Sequence, residues 1–184
     1  VTAEIAVLMR GDFSNAQLSN SGTLNGAVWL GGPAQQDSPY FGLDLTNQTG
    51  GAIHGPVIID SRAAQPNHIV NHGLIDGAIY LGGANDVVDN ASGTITGSVH
   101  GDGGDDSLAG GGAVDLLWGD DGNDSLSGGG GNDTLVGGLG SDTAFYAGNR
   151  ADYVIDTSPG NASYTVRGIG ARAGDGTDTL RSVE

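Results

Sequence analysis

Five aspartates recur at intervals of nine residues: Asp106, Asp115, Asp124, Asp133 and Asp142. Nine Asp fall between Asp102 and Asp142, and no Lys or Arg does. Carboxylates gathered at a short fixed period suit one chemistry above others, the binding of a hard divalent cation through oxygen. Each of the five sits in a glycine-rich block of nine. From Gly101 the blocks read GDGGDDSLA, GGGAVDLLW, GDDGNDSLS, GGGGNDTLV and GGLGSDTAF. The first residue is always Gly (Gly101, Gly110, Gly119, Gly128, Gly137) and the sixth always Asp. The eighth is Leu108, Leu117, Leu126, Leu135 and then Ala144. Glycine and Asp also make plain tight turns, but five blocks without a phase slip say more than a turn does.

Such carboxylates need elements that hold them at fixed separations. Glycines permit φ > 0 and let backbone carbonyls converge. A short strand then follows, with the eighth residue pointing inward. Two blocks make one coil of 18 residues with a loop on each side, so loops one coil apart stack. Asp106, Asp124 and Asp142 fall on one edge, and Asp115 and Asp133 on the other.

This pattern resembles the glycine-rich nonapeptide G-G-x-G-x-D-x-U-x of the RTX (repeats-in-toxin) family of hemolysin-type calcium-binding proteins. Ala113, in place of the fourth-position Gly, and Ala144, in place of a large apolar residue, depart from it. The resemblance implies a calcium-binding β-roll over 101–145, with about three ions between stacked loops. It implies ligands at the first, third and sixth positions: Gly101, Gly103, Asp106, Gly110, Gly112, Asp115, Gly119, Asp121, Asp124, Gly128, Gly130, Asp133, Gly137 and Asp142. It also implies a secreted protein, extracellular or on a bacterial cell surface, exported by a type I system. The signal for that export would lie beyond Glu184. Val1 as first residue is expected to mark a processed or excised piece.

Upstream, a looser repeat runs through four segments: NSGTLNGAVWLGG from Asn20, NQTGGAIHGPVIID from Asn47, NHGLIDGAIYLGG from Asn71 and NASGTITGSVHGD from Asn90. Alternating apolar residues read as strands and the Asn-Gly clusters as turns. Leu24, Ile53, Ile75 and Ile95 form one inward set, and Val28, Val57, Ile79 and Val99 another. Coils of 20–29 residues predict a parallel β-helix over 1–100, similar to repeats of autotransporter-type surface proteins. Val99 continues to Leu117 and Leu135, and Val88 to Leu108, Leu126 and Ala144. The fold class expected is therefore all-β: a right-handed parallel β-helix running continuously into the β-roll, with capping strands over 146–184. Asp86, 20 residues before Asp106, reads as a degenerate first loop. The stretch Pro33–Gly42 reads as an insertion, and the periodicity stops after Ala147. Asp175 and Asp178, in a terminal flank, read as turn residues, with a further ion site as the alternative.

Composition narrows the function. The net charge is −16, from 22 acidic against 6 basic residues, all Arg. Nucleic acid and anionic membrane surfaces are poor partners for such a surface. No apolar run is long enough to span a bilayer. There is no Cys, so disulfides and thiolate metal sites are excluded. HExxH and GxSxG motifs are absent, and no enzyme is expected. Arg62 beside Asp60 and Asp86 is the one faint lyase-like grouping. Residues after the inward valine and leucine column (Trp29, Ile58, Tyr80, His100, Trp118, Val136) should point outward as a stripe. Cover by the chain's own insertion or cap is one reading of this stripe; self-association, or protein or glycan contact through the Trp29, Tyr80 and Trp118 face, is the other. A structural or adhesive module is one reading. The accessory array of a larger secreted enzyme is the other.

Overall fold

The computed structural model describes residues 5–9, 16–31, 42–59, 65–157 and 163–183. Apolar runs here are short and broken by Gly and Asn, so no described strand exceeds six residues. A strand that short cannot bury a face alone. Stacking successive turns of one coil solves this, because each strand then pairs with its counterpart one turn later. The pairing throughout the coils is parallel.

The upstream coils have three faces. One carries Ala27–Leu30, Val57–Ile59, Ile79–Tyr80 and Val99–His100, and continues through Leu116–Asp121 and Thr134–Leu139. A second runs from Ala16–Asn20 through Leu43–Asn47, His68–Asn71 and Val87–Asp89 to Ser107–Gly111, Ser125–Gly129 and Thr143–Ala144. The third holds Thr23–Asn25, Ala52–His54, Leu74–Ile75 and Thr94–Ile95, where it ends. From Gly101 onward each coil therefore has two faces. Losing the third is the physical reason that the coils shorten to 18 residues.

The core is a set of columns. Val28, Val57, Ile79, Val99, Leu117 and Leu135 are successive partners, and all are buried. Val88, Leu108, Leu126 and Ala144 form a second column, extended upstream by Leu18, Leu45 and Ile69. Leu24, Ile53, Ile75 and Ile95 line the third face. Each fully buried Leu or Ile contributes about 1.5–3 kcal/mol. At the corner before the first face, Gly55, Gly77 and Gly97 leave no room for a side chain. A Cβ on any of them would strike the backbone of the preceding coil.

The nine-residue register does not end after Ala147. The chain leaves the coils and forms the antiparallel hairpin Tyr153–Thr157/Ser163–Gly168. It then returns as Thr177–Arg181, pairing parallel to Thr134–Leu139 with Leu180 opposite Leu135. The hairpin packs antiparallel on that returning strand and closes the end of the first face.

Trp29, Ile58, Tyr80, His100, Trp118 and Val136 follow one another across the first face. The Tyr80 and His100 rings stack at 5.0 Å, and His100 and Trp118 at 5.7 Å. Trp29 and Tyr80 are each 38% exposed, whereas Val136 is buried, so the stripe is covered at its C-terminal end. Of the expected insertion only Gly42 is described, and both Asp60 and Arg62 lie outside the described residues.

Candidate metal centre

The sixth-position aspartates turn inward at the two edges of the roll and are all at least 95% buried. On one edge the backbone N–H of Asp106 donates to Oδ1 of Asp124 at 2.8 Å, and that of Asp124 to Oδ1 of Asp142 at 2.9 Å. On the other edge, the Asp115 N–H donates to Oδ1 of Asp133 at 2.9 Å. One carboxylate oxygen of each acceptor thus ties one coil to the next.

The second oxygen has no such partner. Oδ2 of Asp106, Asp115, Asp124 and Asp133 is buried without a hydrogen bond. It lies over the first glycine of its own block. A Cβ on Gly101, Gly110, Gly119, Gly128 or Gly137 would collide with Oδ2 of Asp106, Asp115, Asp124, Asp133 or Asp142 respectively. The invariant first-position glycine therefore makes room for a carboxylate. The second position instead imposes a left-handed backbone, adopted even by Asp102 (φ 66°) and Asp120 (φ 71°), as Asp tolerates better than most residues.

Burial without a compensating charge penalises ionisation. Desolvation pushes Asp106 up to about 8, with Asp86, Asp124 and Asp102 adding like-charge repulsion. Asp115 rises to about 7 and Asp133 to about 6, again chiefly through burial, with a neighbouring aspartate adding to each. Asp124 is raised for the same reason. Buried oxygens short of both donors and counter-charge fit a cation. Among the described residues, no three carboxylate or imidazole side chains gather at one point. Six to eight oxygens around calcium would thus need backbone carbonyls besides one or two Asp.

The expected ligand positions separate into two kinds. First-position glycines are buried beside the carboxylates. Third-position Gly103, Gly112, Gly130 and Asp121 are half-buried or exposed. Gly103 and Asp121 bridge each other across successive coils, and the Asp121 carbonyl accepts the Gly104 N–H at 2.8 Å. Its side chain is exposed. Four fourth-position glycines have φ between 119° and 149°, whereas Ala113 takes no positive φ. The loop departs locally there, yet the Asp115 carboxylate still reaches its place.

Three features extend these columns beyond the five blocks. Asp86 is buried, its N–H donates to Oδ1 of Asp106 at 2.7 Å, and its own Oδ2 is unpartnered. Asp178, for which the sequence offers a turn first and a further ion site second, is buried and accepts the Asp133 N–H at 2.9 Å. Upstream, Asn20, Asn47, Asn71 and Asn90 form a buried ladder, each side-chain amide donating to the next Oδ1 at 2.8, 2.8 and 2.6 Å. Asn90 donates to the Gly110 carbonyl, where the ladder meets the first-position glycine that seats Asp115. The aligned Asn signals were visible in sequence, but as turns. The first and last loops fall where the glycine spacing is broken.

A family model described as the RTX calcium-binding nonapeptide repeat (4 copies) matches residues 98–117 and 110–144. No curated protein and no solved structure matches the chain. The matched stretch holds the loops whose buried carboxylate oxygens lack a partner. Residues 98–144 are RTX hemolysin-type repeats, which bind calcium.

Proposed function

We propose that this chain is a non-catalytic, secreted or cell-surface solenoid module that folds on extracellular calcium and serves a structural or adhesive role. The carrying observation is the row of buried Oδ2 atoms with no partner. The ligands on this reading are the first- and third-position carbonyls and the sixth-position carboxylates: Gly101, Gly103, Asp106, Gly110, Gly112, Asp115, Gly119, Asp121, Asp124, Gly128, Gly130, Asp133, Gly137 and Asp142. Extracellular calcium modules bind at about 10⁻⁴–10⁻³ M. At far lower intracellular levels the segment 101–145 stays open and exportable, and outside the cell binding becomes folding free energy. The division into 1–100, 101–145 and 146–184 follows from that role, with the middle segment the ion-dependent one.

The exposed Trp29 and Tyr80, with Trp118 stacked on His100, supply an outer face for self-association or for a protein or glycan partner. The accessory array of a larger secreted enzyme is the second reading, favoured by the match lying in the repeats alone. Circular dichroism in chelator and then in millimolar calcium tests ion-dependent folding; an unchanged β signal overturns it. Light scattering on the same samples tests assembly. If calcium drives association and Tyr80→Ser with Trp118→Ser removes it, the adhesive reading stands; a calcium-folded monomer favours the accessory array.

A further inference from the structure

Three side chains on the outer side of the first face form a chain of hydrogen bonds. The Ser98 hydroxyl lies 3.0 Å from Nε2 of His100. Nδ1 of His100 lies 3.2 Å from Oδ2 of Asp120, one coil on. A carboxylate only accepts, so Nδ1 carries the proton and the Ser98 hydroxyl donates to Nε2. Register explains the grouping. Ser98 and His100 are two apart along one strand and so share a side. Asp120 is two residues beyond Trp118, the partner of His100, and meets the ring diagonally.

The imidazole is held on every side. Tyr80 and Trp118 stack on its two faces, at interplanar angles of 13° and 15°, and both nitrogens are engaged. The side chains of His100 and Asp120 are 22% and 32% exposed, so the base is sheltered yet within reach of solvent. Ser98 also keeps an unused donor. Val57, Ile79 and Val99 pair in succession, so Pro56 holds the place of Ser98 two coils earlier. Proline has no N–H; the ladder needs no donor there, and the Ser98 N–H meets no backbone carbonyl among the described residues. Leu116, 37% exposed, stands beside Ser98 in the next coil.

Nucleophile, base and orienting carboxylate at such separations activate a serine for acyl transfer. We propose that Ser98 is a covalent acyl-acceptor site for uncharged carboxylic esters with an apolar acyl chain. Oγ of Ser98 bonds to the ester carbonyl carbon while Nε2 of His100 takes the hydroxyl proton. The Ser98 N–H meets the oxyanion that forms. Collapse breaks the bond to the leaving oxygen, which takes the proton from His100 and departs as the alcohol. The acyl group stays on Ser98, with Leu116 as an apolar seat for its chain. Asp120, and Asp102 near both it and His100, repel anionic donors. Asp120 stands between Gly119 and Asp121 in the third nonapeptide, so the dependence of this site on the ion rests on the calcium reading of the repeats.

The full chain in millimolar calcium, treated with p-nitrophenyl butyrate, quenched in acid and mapped by peptide mass spectrometry, tests this. Ser92 is a built-in control: its hydroxyl lies 2.6 Å from Nδ1 of His72, a ring that no carboxylate orients among the described residues. The butyryl adduct should form on Ser98 at least about tenfold faster than on Ser92. His100→Phe keeps a ring in the stack but removes the base, and should slow labelling of Ser98 about a hundredfold or more. Asp120→Asn, which tolerates the positive φ, should slow it at least about tenfold. Labelling of Ser98 no faster than that of Ser92, or unchanged in either variant, overturns the proposal. In chelator the labelling should fall as the loop opens. Labelling undiminished there leaves the acceptor serine standing and counts instead against the calcium reading.

Discussion

The side-chain amide of Asn47 donates to Oδ1 of Asn71 at 2.8 Å, with both residues fully buried. An amide carries a donor and an acceptor, so a stack of asparagines satisfies itself. An ionised carboxylate only accepts. Where the chain changes from the Asn ladder to aspartates, the buried edge loses its internal donors and one oxygen per rung is left over.

It follows that the two stretches answer differently to chelation. Hydrogen exchange in chelator should leave 43–59 and 65–95 protected while 101–145 exchanges freely, and millimolar calcium should slow only the latter. Uniform exposure of both would show that the Asn coils lean on the ion-bound ones.

Breaking the ladder costs stability whether or not calcium is present. Asn71→Ala removes a donor to Asn90 and an acceptor for Asn47. Leaving such buried groups unpaired costs roughly 2–4 kcal/mol. Denaturant unfolding with and without calcium should show the same loss.

Acidity should act in opposite directions with and without the ion. Asp86, Asp115 and Asp133 are raised to about 7, 7 and 6, and Asp106 to about 8, against about 3.9 in an unfolded chain. The ion-free fold therefore holds protons that the unfolded chain releases. It carries no ionisation penalty below pH ~4 and loses stability progressively as the pH rises to ~8. In chelator, β structure should grow as the pH falls from 8 to 5. Calcium binding, which needs the carboxylates ionised, should weaken over the same interval. Circular dichroism at fixed free calcium checks both limbs.

Two glycines separate seating from mere turn-making. A methyl on Gly119 would meet Oδ2 of Asp124, whereas one on Gly112 would meet nothing within 4 Å. Gly119→Ala should raise the calcium midpoint for folding by at least about tenfold; Gly112→Ala should leave it nearly unchanged. Equal shifts would place the ions away from the first-position glycines.

Asp124 stands between two rungs, hydrogen-bonded toward both Asp106 and Asp142. Asp124→Ala should weaken two stacked sites together and shift the midpoint further than Asp142→Ala, whose column ends there among the five blocks. A titration curve that loses amplitude without moving would refute the shared arrangement.

Much of this was legible in the residues because a solenoid converts sequence period directly into contact. The steps from Val99 to Leu117 and Leu135 are strand pairings, and the two rows of aspartates are the two buried edges. Period alone does not say how many faces a coil has. Ile53, Ile75 and Ile95 were recognisable as inward-facing, but nothing in their spacing marks Ile95 as the end of a third sheet. Nor does it distinguish an asparagine that turns the chain from one that stacks inside it. Asp178 stood out in the sequence, but its column did not: the hairpin parts it from Asp133, and only the pairing of Leu180 with Leu135 restores the phase.

The end of the third face at Ile95 has a consequence for how the molecule is held along its axis. Above that level each turn closes around three oily columns, and below it around two, so every later turn forfeits about one buried aliphatic side chain of cohesion. On the calcium reading, dissolved salt makes up the deficit turn by turn. The upper coils are a permanent stem, and the length wound beneath them becomes a gauge of the divalent ion in the surrounding fluid.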